Sequence, residues 1–342
     1  MKQLFIVIYF LFSFVNIYSQ VTKDIDLCRI EGGNYQLANN SGSSEEYINP
    51  FYMSAYKITI GQYLQFVKET SPDSIILRDH YFFEEYNAKE PSVNLPIGKL
   101  NWYDMVKFCN WLSEKEGFEK AYVIENSEGV PTRKEGEVIW KRNANGYRLP
   151  TELEWEYAAT CGGTDKEIIS KNTATLLSIA WCYENSKFEY KDVGLKLPNR
   201  WGLFDCLGNM YEMCWDSNNK GEIVIRGGDF LTNVNEISIY NKFYSFPLDF
   251  HYPERSFRVA RNISVLDIKA VLNDSNVRVR EKPDLNTTVL TKLNKGDKVQ
   301  VIEQGKKEKI DSMEASWYKV VLENKTEGWV YGYYLDFEDE LD

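Results

Sequence analysis

The chain has 342 residues, of which 43% are hydrophobic and 15% aromatic, enough to build the core of one large domain and a smaller one. Its formal net charge of −11 argues against nucleic acid as a partner, because contacts with phosphates require a basic surface. The chain contains no Cys-x-x-Cys pair and only two histidines, so it gives no support to a zinc ribbon or to histidine-based catalysis.

Residues 1–19 have the features of an export signal. Lys2 supplies the positive charge, residues 4–15 form an apolar run, and Ser19 precedes the predicted cleavage point. The run is shorter than a typical membrane-spanning helix, so we expect no transmembrane helix after signal removal. We expect export to the periplasm, the cell envelope or the medium; an uncleaved anchor stays open as an alternative. The six cysteines would allow up to three disulfides after export, and their pairing is open.

Two stretches near the N-terminus carry start signals of helices. Thr59 and Gln62 have the spacing of a capping box, in which each side chain bonds the backbone N–H of the other residue. Asn101 is a suitable cap for a second helix, which we predict to extend to about Glu116 and to stop at Gly117.

The segment GYRLPTELEWEYAA, residues 146–159, contains three glutamates. Thr151 and Glu154 form another capping box, and Glu152 lies in the first turn, where the helix dipole favours a negative charge. We therefore assign these glutamates a structural role rather than a catalytic one.

The remainder of the chain divides into two kinds of sequence. Residues 199–261 are rich in turns and aromatic residues, which favours an α+β domain with long loops. Residues 262–270 are predicted to be a linker. The short alternating segments beyond them, such as NVRVR and KVQVIEQ, predict a small all-β barrel.

Several motifs occur together in a characteristic order: NPFYMSAYKITIGQYLQF, LNWYDMVKFCNWLSEKEG, GYRLPTELEWEYAA, NRWGLFDCLGNMYEMCWD, IRGGDF and SFRVAR. This series resembles the formylglycine-generating enzyme (sulfatase-modifying factor) family over roughly residues 30–262. The resemblance implies a domain over residues 24–262 with that family's fold, an α+β fold related to C-type lectins with little regular secondary structure.

The C-terminal segments SNVRVREKP, LNKGDKVQVIE, WYKV and EGWVYGYYL resemble a bacterial SH3-like domain, which we place at residues 268–337. Members of that family bind short peptides, often cell-wall stem peptides, so an envelope protein or a peptidoglycan peptide is the expected partner. Tyr318, Tyr333 and Tyr334 are the candidates for an exposed binding groove. The aromatic residues favoured as core are Trp317, Trp329 and Tyr331.

The oxidising members of the first family hold copper with two cysteines a few residues after an RGGS motif. Thiolates suit Cu(I), so this chemistry requires cysteine at both places. In this chain the motif is Arg226-Gly227-Gly228-Asp229, and Thr232 and Ile237 stand at the positions that match the cysteines. The resemblance therefore implies that copper is not expected and that no catalytic residue is assigned.

Calcium is the ligand that the resemblance supports best. Relatives hold one ion in the loop that matches Asp205, Gly208, Met210 and Glu212, with two acids and two backbone carbonyls that suit a hard cation. The alternative, equally supported, is that the two acids cap turns and pair with arginines such as Arg200 or Arg226.

Cys206 and Cys214 flank the same loop. A structural pair or inert buried thiols are favoured over a displaced metal site at these two positions. Cys109 lies on the apolar face of its helix and is expected in the protein core.

The sequence thus predicts an exported envelope protein whose first domain has become a binding or assembly module and whose SH3-like domain makes a second contact. One alternative is an oxidoreductase of the same superfamily with a non-standard metal site. A weaker alternative is a lectin-like binder of glycans, which rests on fold kinship alone.

Overall fold

The structure, a computed structural model, describes residues 25–37, 45–71, 92–124, 138–165, 172–245 and 253–337. The predicted signal peptide lies outside the described residues, as do both histidines, His80 and His251. Within these ranges no helix has the length and apolar character needed to cross a lipid bilayer.

The three helices that the sequence predicts begin where expected, and two short helices follow that it does not predict. The described ranges contain α1 (Ile60–Thr70), α2 (Trp102–Lys115), α3 (Glu152–Ala159), α4 (Thr173–Ile179) and α5 (Tyr183–Ser186). Both capping boxes form: the Thr59 hydroxyl accepts from the Gln62 N–H, and the Thr151 hydroxyl accepts from the Glu154 N–H. Asn101 caps α2, since its side chain accepts from the Asp104 N–H at 2.9 Å. These helix starts are therefore confirmed.

The strands before residue 263 are short. They are β1 (Leu27–Ile30), β2 (Gly33–Tyr35), β3 (Glu46–Ile48), β4 (Phe51–Ser54), β5 (Tyr122–Ile124), β6 (Val138–Trp140), β7 (Tyr147–Arg148), β8 (Tyr211–Ser217), β9 (Ile223–Arg226), β10 (Lys242–Ser245), β11 (Arg255–Ser256) and β12 (Ala260–Asn262). They form two four-stranded sheets, in the orders β1-β4-β12-β7 and β10-β9-β8-β11, and two pairs, β2-β3 and β5-β6. The predicted α+β character with long loops is confirmed.

The chain divides into two compact units. The first unit contains Met1–Phe108, Ile124–Ile139 and Arg148–Ala260, and the second contains Cys109–Val123, Trp140–Tyr147 and Arg261–Asp342. In the first unit, Trp155 of α3 packs in a buried cluster with Met53 of β4, Cys214 of β8 and Ile237. This cluster holds the loop after β9 against helix α3.

The second unit is built on one antiparallel sheet of seven strands. These are β13 (Ser264–Leu272), β14 (Val277–Arg280), β15 (Val289–Leu293), β16 (Lys298–Ile310), β17 (Met313–Val321), β18 (Glu327–Tyr331) and β19 (Leu335–Phe337). Their order is β15-β14-β18-β17-β16-β13-β19, which fits the predicted SH3-like barrel.

The predicted linker at residues 262–270 is wrong, because most of it is strand β13. That strand pairs with β16 and with β19, so its backbone is part of the second unit's sheet. The second unit also includes earlier residues: the Lys307 N–H donates to the Gly117 carbonyl at 3.0 Å, and the Arg261 guanidinium lies 4.2 Å from the ring centre of Phe118. The domain bounds 24–262 and 268–337 stay a prediction.

Candidate functional site

The loop after β9 is anchored by the buried arginine of the RGGD motif. The Arg226 guanidinium donates to Glu152 at 3.0 Å, to Glu156 and to the carbonyl of Ile239 at 3.0 Å. Lys242 makes a second ion pair with Glu152. Two of the three glutamates in helix α3 thus neutralise a buried arginine, which supports the structural role inferred from the sequence.

The third glutamate also has a structural partner. Both carboxylate oxygens of Glu154 accept from Arg148, each at 2.7 Å, while the same side chain closes the capping box of α3. A two-point contact of this kind fixes the orientation of both side chains.

The two positions that match the copper-binding cysteines face each other across Gly228. A Cβ atom on Gly228 would lie 3.1 Å from Ile237 Cγ1 and 3.4 Å from Thr232 Oγ1. The Thr232 hydroxyl donates to Asp229 at 2.6 Å, and Ile237 is buried in the core of the first unit. The fold therefore brings together the two places, but it fills them with a hydroxyl and an aliphatic side chain.

The predicted calcium loop contains a buried ion-pair cluster. Both oxygens of Glu212 accept from Arg258, at 2.6 and 2.7 Å, and one accepts also from Lys57 at 2.8 Å and the other from the Trp155 indole at 2.7 Å. Burial alone would raise the pKa of Glu212, but Arg258 and Lys57 hold it down to about 2. With its oxygens bonded to cationic and N–H donors, Glu212 does not fit the predicted role of calcium ligand.

Asp205 is placed differently. One carboxylate oxygen accepts from the Gly194 N–H at 2.8 Å, and the other is buried with no hydrogen-bond partner among the described residues. Burial raises the pKa of Asp205, although Lys57 opposes the shift. The predicted backbone ligands lie on the same loop, where Met210 is fully buried. Calcium binding stays a prediction, and Asp205 is the one predicted acid with an oxygen left for a cation.

The predicted pairing of these acids with Arg200 or Arg226 is wrong for Glu212, whose arginine is Arg258.

None of the six cysteines, all of which lie within the described residues, forms a disulfide. Cys109, Cys206 and Cys214 are buried, as expected of core residues, and burial raises the pKa of Cys206 to about 11. A thiol with such a pKa stays protonated at neutral pH and is a poor nucleophile and metal ligand. Of the two structural alternatives for Cys206 and Cys214, buried thiols are therefore the one observed.

In the second unit, one of the three tyrosines proposed for the groove is misplaced. Tyr318 is only 8% exposed and packs in the main core of the barrel with Val301 and Val330, so its assignment as a groove residue is wrong. Tyr333 is 54% exposed, and Tyr334 is half-buried. The residues favoured as core are buried and form a second, smaller cluster: Trp317, Trp329 and Tyr331.

A groove of about 240 Å³ opens on the second unit. The lining includes the aromatic side chains of Trp317, Tyr331 and Tyr334 and three cationic residues, which are Arg278, Arg280 and Lys292. The only acidic side chain in the lining is that of Asp274.

Sequence reasoning missed the cations of this groove. A usable signal was present in NVRVR, because the alternation that turns Val277 and Val279 inward also turns Arg278 outward. Two of the residues favoured only as core, Trp317 and Tyr331, also line the groove. Of the predicted groove residues, Tyr334 belongs to the lining.

Comparisons with known proteins agree with the motif series. Residues 18–263 match the family model of the sulfatase-modifying factor enzyme 1-like domain, and residues 275–336 match that of the bacterial SH3 domain. The resemblance to both families is thereby confirmed.

Individual relatives are distant. The chaperone protein LppX of Paenibacillus barcinonensis is 28% identical over 273 residues, which cover 70% of this chain and 91% of LppX. The formylglycine-generating enzyme of Mus musculus is 24% identical over 189 residues, and this chain spans 50% of that enzyme with 50% of its own length. Treponema denticola variable protein 1 has the same fold, with a TM-score of 0.56 at 24% identity, covering 69% of this chain and 94% of that one.

Proposed function

The chain belongs to the sulfatase-modifying factor enzyme 1-like domain family, and we propose that it acts as a binding or assembly protein of the cell envelope rather than as a copper oxidase. In this proposal the first unit is a scaffold derived from an enzyme fold, and the second unit supplies a contact to a peptide or to the cell wall.

The observation that carries the proposal is the pair Thr232 and Ile237. Copper-dependent oxidation in this family needs two thiolates, and a hydroxyl or an alkyl group cannot replace a thiolate as a ligand of Cu(I). Both side chains lie next to Gly228, and neither offers a thiolate there.

The charged residues of the family motifs support a scaffold role. Arg226 and Arg258 are buried, and each is bonded to carboxylates of the first unit. Buried ion pairs of this kind fix side chains in place and leave few charges free to act on a substrate.

The similarity to LppX supports an assembly role. That relative is named a chaperone protein, and the alignment covers nearly its full length at 28% identity. We extend to this chain only the general idea that a member of the fold can assist other proteins without formylglycine chemistry.

Export is also part of the proposal and rests on Lys2, the apolar run and Ser19. Mass spectrometry of the exported protein should find the chain beginning at or near Gln20.

The decisive experiment is an activity assay with a cysteine-containing peptide derived from a sulfatase. The purified protein, loaded with Cu(I) or left without metal, should not convert the cysteine to formylglycine, as followed by the change in peptide mass. A bona fide formylglycine-generating enzyme assayed in parallel serves as the positive control. Turnover above a no-protein blank would overturn the proposal in favour of the oxidoreductase alternative.

A further inference from the structure

We propose that the groove of the second unit binds an acidic peptide, whose carboxylates bind Arg278 and Lys292 and whose apolar side chains pack on Leu285 and Tyr334. This inference rests on the proposed function of the second unit as a binding module and specifies the chemical class of its ligand.

The first argument is the position of the two cations. Arg278 of β14 and Lys292 of β15 are directly opposite each other in the antiparallel register, and both are exposed. Like charges at directly opposed positions destabilise a strand pair. No ion pair of either residue is found in the part of the chain that the structure describes. An anion bound between them would remove the repulsion.

The second argument is a third cation in the same lining. Arg280 is only 6% exposed and is held by a hydrogen bond of 2.9 Å from its Nη1 atom to the carbonyl of Thr287. An arginine held in this way presents a pre-oriented guanidinium, which suits two-point contact with a carboxylate. The groove lining thus contains three cations, although the net charge of the chain is −11.

The apolar residues of the lining argue for a peptide rather than for a purely polyanionic ligand. The Trp317 indole N–H donates to Glu308 at 2.7 Å, and the Tyr331 hydroxyl lies 2.8 Å from the Glu308 carbonyl oxygen. These two rings are only 1% and 4% exposed, so the apolar surface that a ligand can contact is that of Leu285 and Tyr334. Apolar surface is useful to a ligand that has aliphatic or aromatic side chains next to its charges.

Asp274 points to the same class of ligand. Its carboxylate in the groove lining can accept a hydrogen bond from a backbone N–H or an ammonium group, which a peptide has and a phosphate polymer lacks. The groove volume of about 240 Å³ is below that of most enclosed small-molecule sites, which favours a short stretch of an extended chain.

The test uses the full-length protein and two labelled probe peptides, one with alternating glutamate and leucine and one with glutamine in place of each glutamate. Fluorescence anisotropy at low salt should show binding of the glutamate peptide only. The variant Arg278→Ala/Lys292→Ala should weaken that binding about tenfold or more, as expected when charge-assisted hydrogen bonds are lost. Lys269→Ala removes an exposed cation from strand β13 of the same unit, outside the groove lining, and should bind like the wild type.

Three results would overturn the inference. They are equal binding of the two peptides, no effect of the double variant, and tighter binding of inorganic polyphosphate with the same dependence on Arg278. Pull-down of the protein by purified peptidoglycan and by envelope proteins tests the broader proposal separately. If the double variant is still captured while the glutamate peptide fails to bind the wild type, the acidic-peptide inference fails and the proposed function stands.

Discussion

Two arginines of the first unit and two cations of the second are placed in opposite ways. In the first unit Arg226 and Arg258 are 1% and 0% exposed and are bonded to glutamates of the same unit. In the second unit Arg278 and Lys292 are exposed, face each other across two strands and have no ion pair among the described residues. Arg226 and Arg258 are thus structural residues, and Arg278 and Lys292 are candidates for ligand binding.

The difference follows from the cost of burying charge. A guanidinium can be buried only if hydrogen-bonded anions replace its water, so Arg258 and Glu212 depend on each other. An exposed cation keeps its water and needs no partner, which leaves it available to a ligand. The burial and the partner of a charged residue therefore separate the two roles, whereas its type and its motif do not.

The largest effect is expected from Glu212→Gln. The substitution leaves Arg258 and Lys57 buried without their carboxylate, and breaking such a buried pair costs about 3–5 kcal/mol. Denaturant unfolding of the full chain measures the loss. The matched control is Glu314→Gln, whose ion pair with Lys307 is exposed and should be worth less than about 1 kcal/mol. Equal losses in the two variants would contradict the contrast between buried and exposed pairs.

The same ion-pair cluster predicts an acid dependence. The native pKa of Glu212 is about 2, below its ordinary value of 4.5, so folding favours the ionised form. A group with a lowered native pKa contributes stability that is complete above the unfolded pKa and is lost as the pH falls through the native one. The difference in free energy of unfolding between wild type and Glu212→Gln should therefore shrink as the pH falls from about 4.5 toward about 2. A difference that is constant over this range would rule out Glu212 as its source.

Trp329→Ala tests the aromatic cluster beneath the groove. Trp329 packs with Trp317 and Tyr331, and its ring lies against the backbone of Gly305. Truncation of a buried tryptophan costs about 3–5 kcal/mol, which should unfold much of the second unit in thermal melts followed by circular dichroism. Tyr333→Ala, at a residue that is 54% exposed, should leave the melting temperature nearly unchanged. A well-folded Trp329→Ala protein would show that the cluster is not part of the core.

Asp205→Asn separates the predicted calcium site from a simple buried acid. Asp205 has a positive φ of 53°, which asparagine tolerates well, and one of its buried oxygens has no partner. Since burial raises its pKa, folding disfavours the ionised form, and the neutral amide should raise the melting temperature at neutral pH in the presence of EDTA. If calcium instead raises the melting temperature of the wild type but not of Asp205→Asn, the calcium prediction gains direct support.

Local features of the fold could be predicted from the sequence, and contacts between distant residues could not. The capping boxes at Thr59 and Thr151 involve residues three apart, so their pattern is visible in the chain itself. The bond between Lys57 and Glu212 joins residues 155 positions apart, and nothing in either segment indicates the other.

The errors in the second unit have a specific cause. Trp317 and Tyr318 are neighbours on β17 and point to opposite faces, yet both are buried, because the barrel has one cluster around Trp317 and another around Tyr318. A groove residue needs one solvated face of the strand, and neither face is solvated at Trp317 and Tyr318, so Tyr318 does not line the groove. Strand β13, residues 264–272, covers most of residues 262–270, which the sequence predicts to be a linker.

The smallest effect is expected from Arg278→Ala, which compares an exposed cation directly with the buried Arg258. The substitution removes one of two like charges at directly opposed positions, and such cross-strand pairs contribute about 0.2–1 kcal/mol. The free energy of unfolding should therefore stay the same or rise by a few tenths of a kcal/mol, whereas Arg258→Ala should lower it by about 3–5 kcal/mol. Lys269→Ala, which removes an exposed cation outside the groove lining, controls for the change in net charge. If Arg278→Ala lowered stability by more than about 1 kcal/mol, Arg278 would have a structural partner, and the argument that its charge is kept for a ligand would fail.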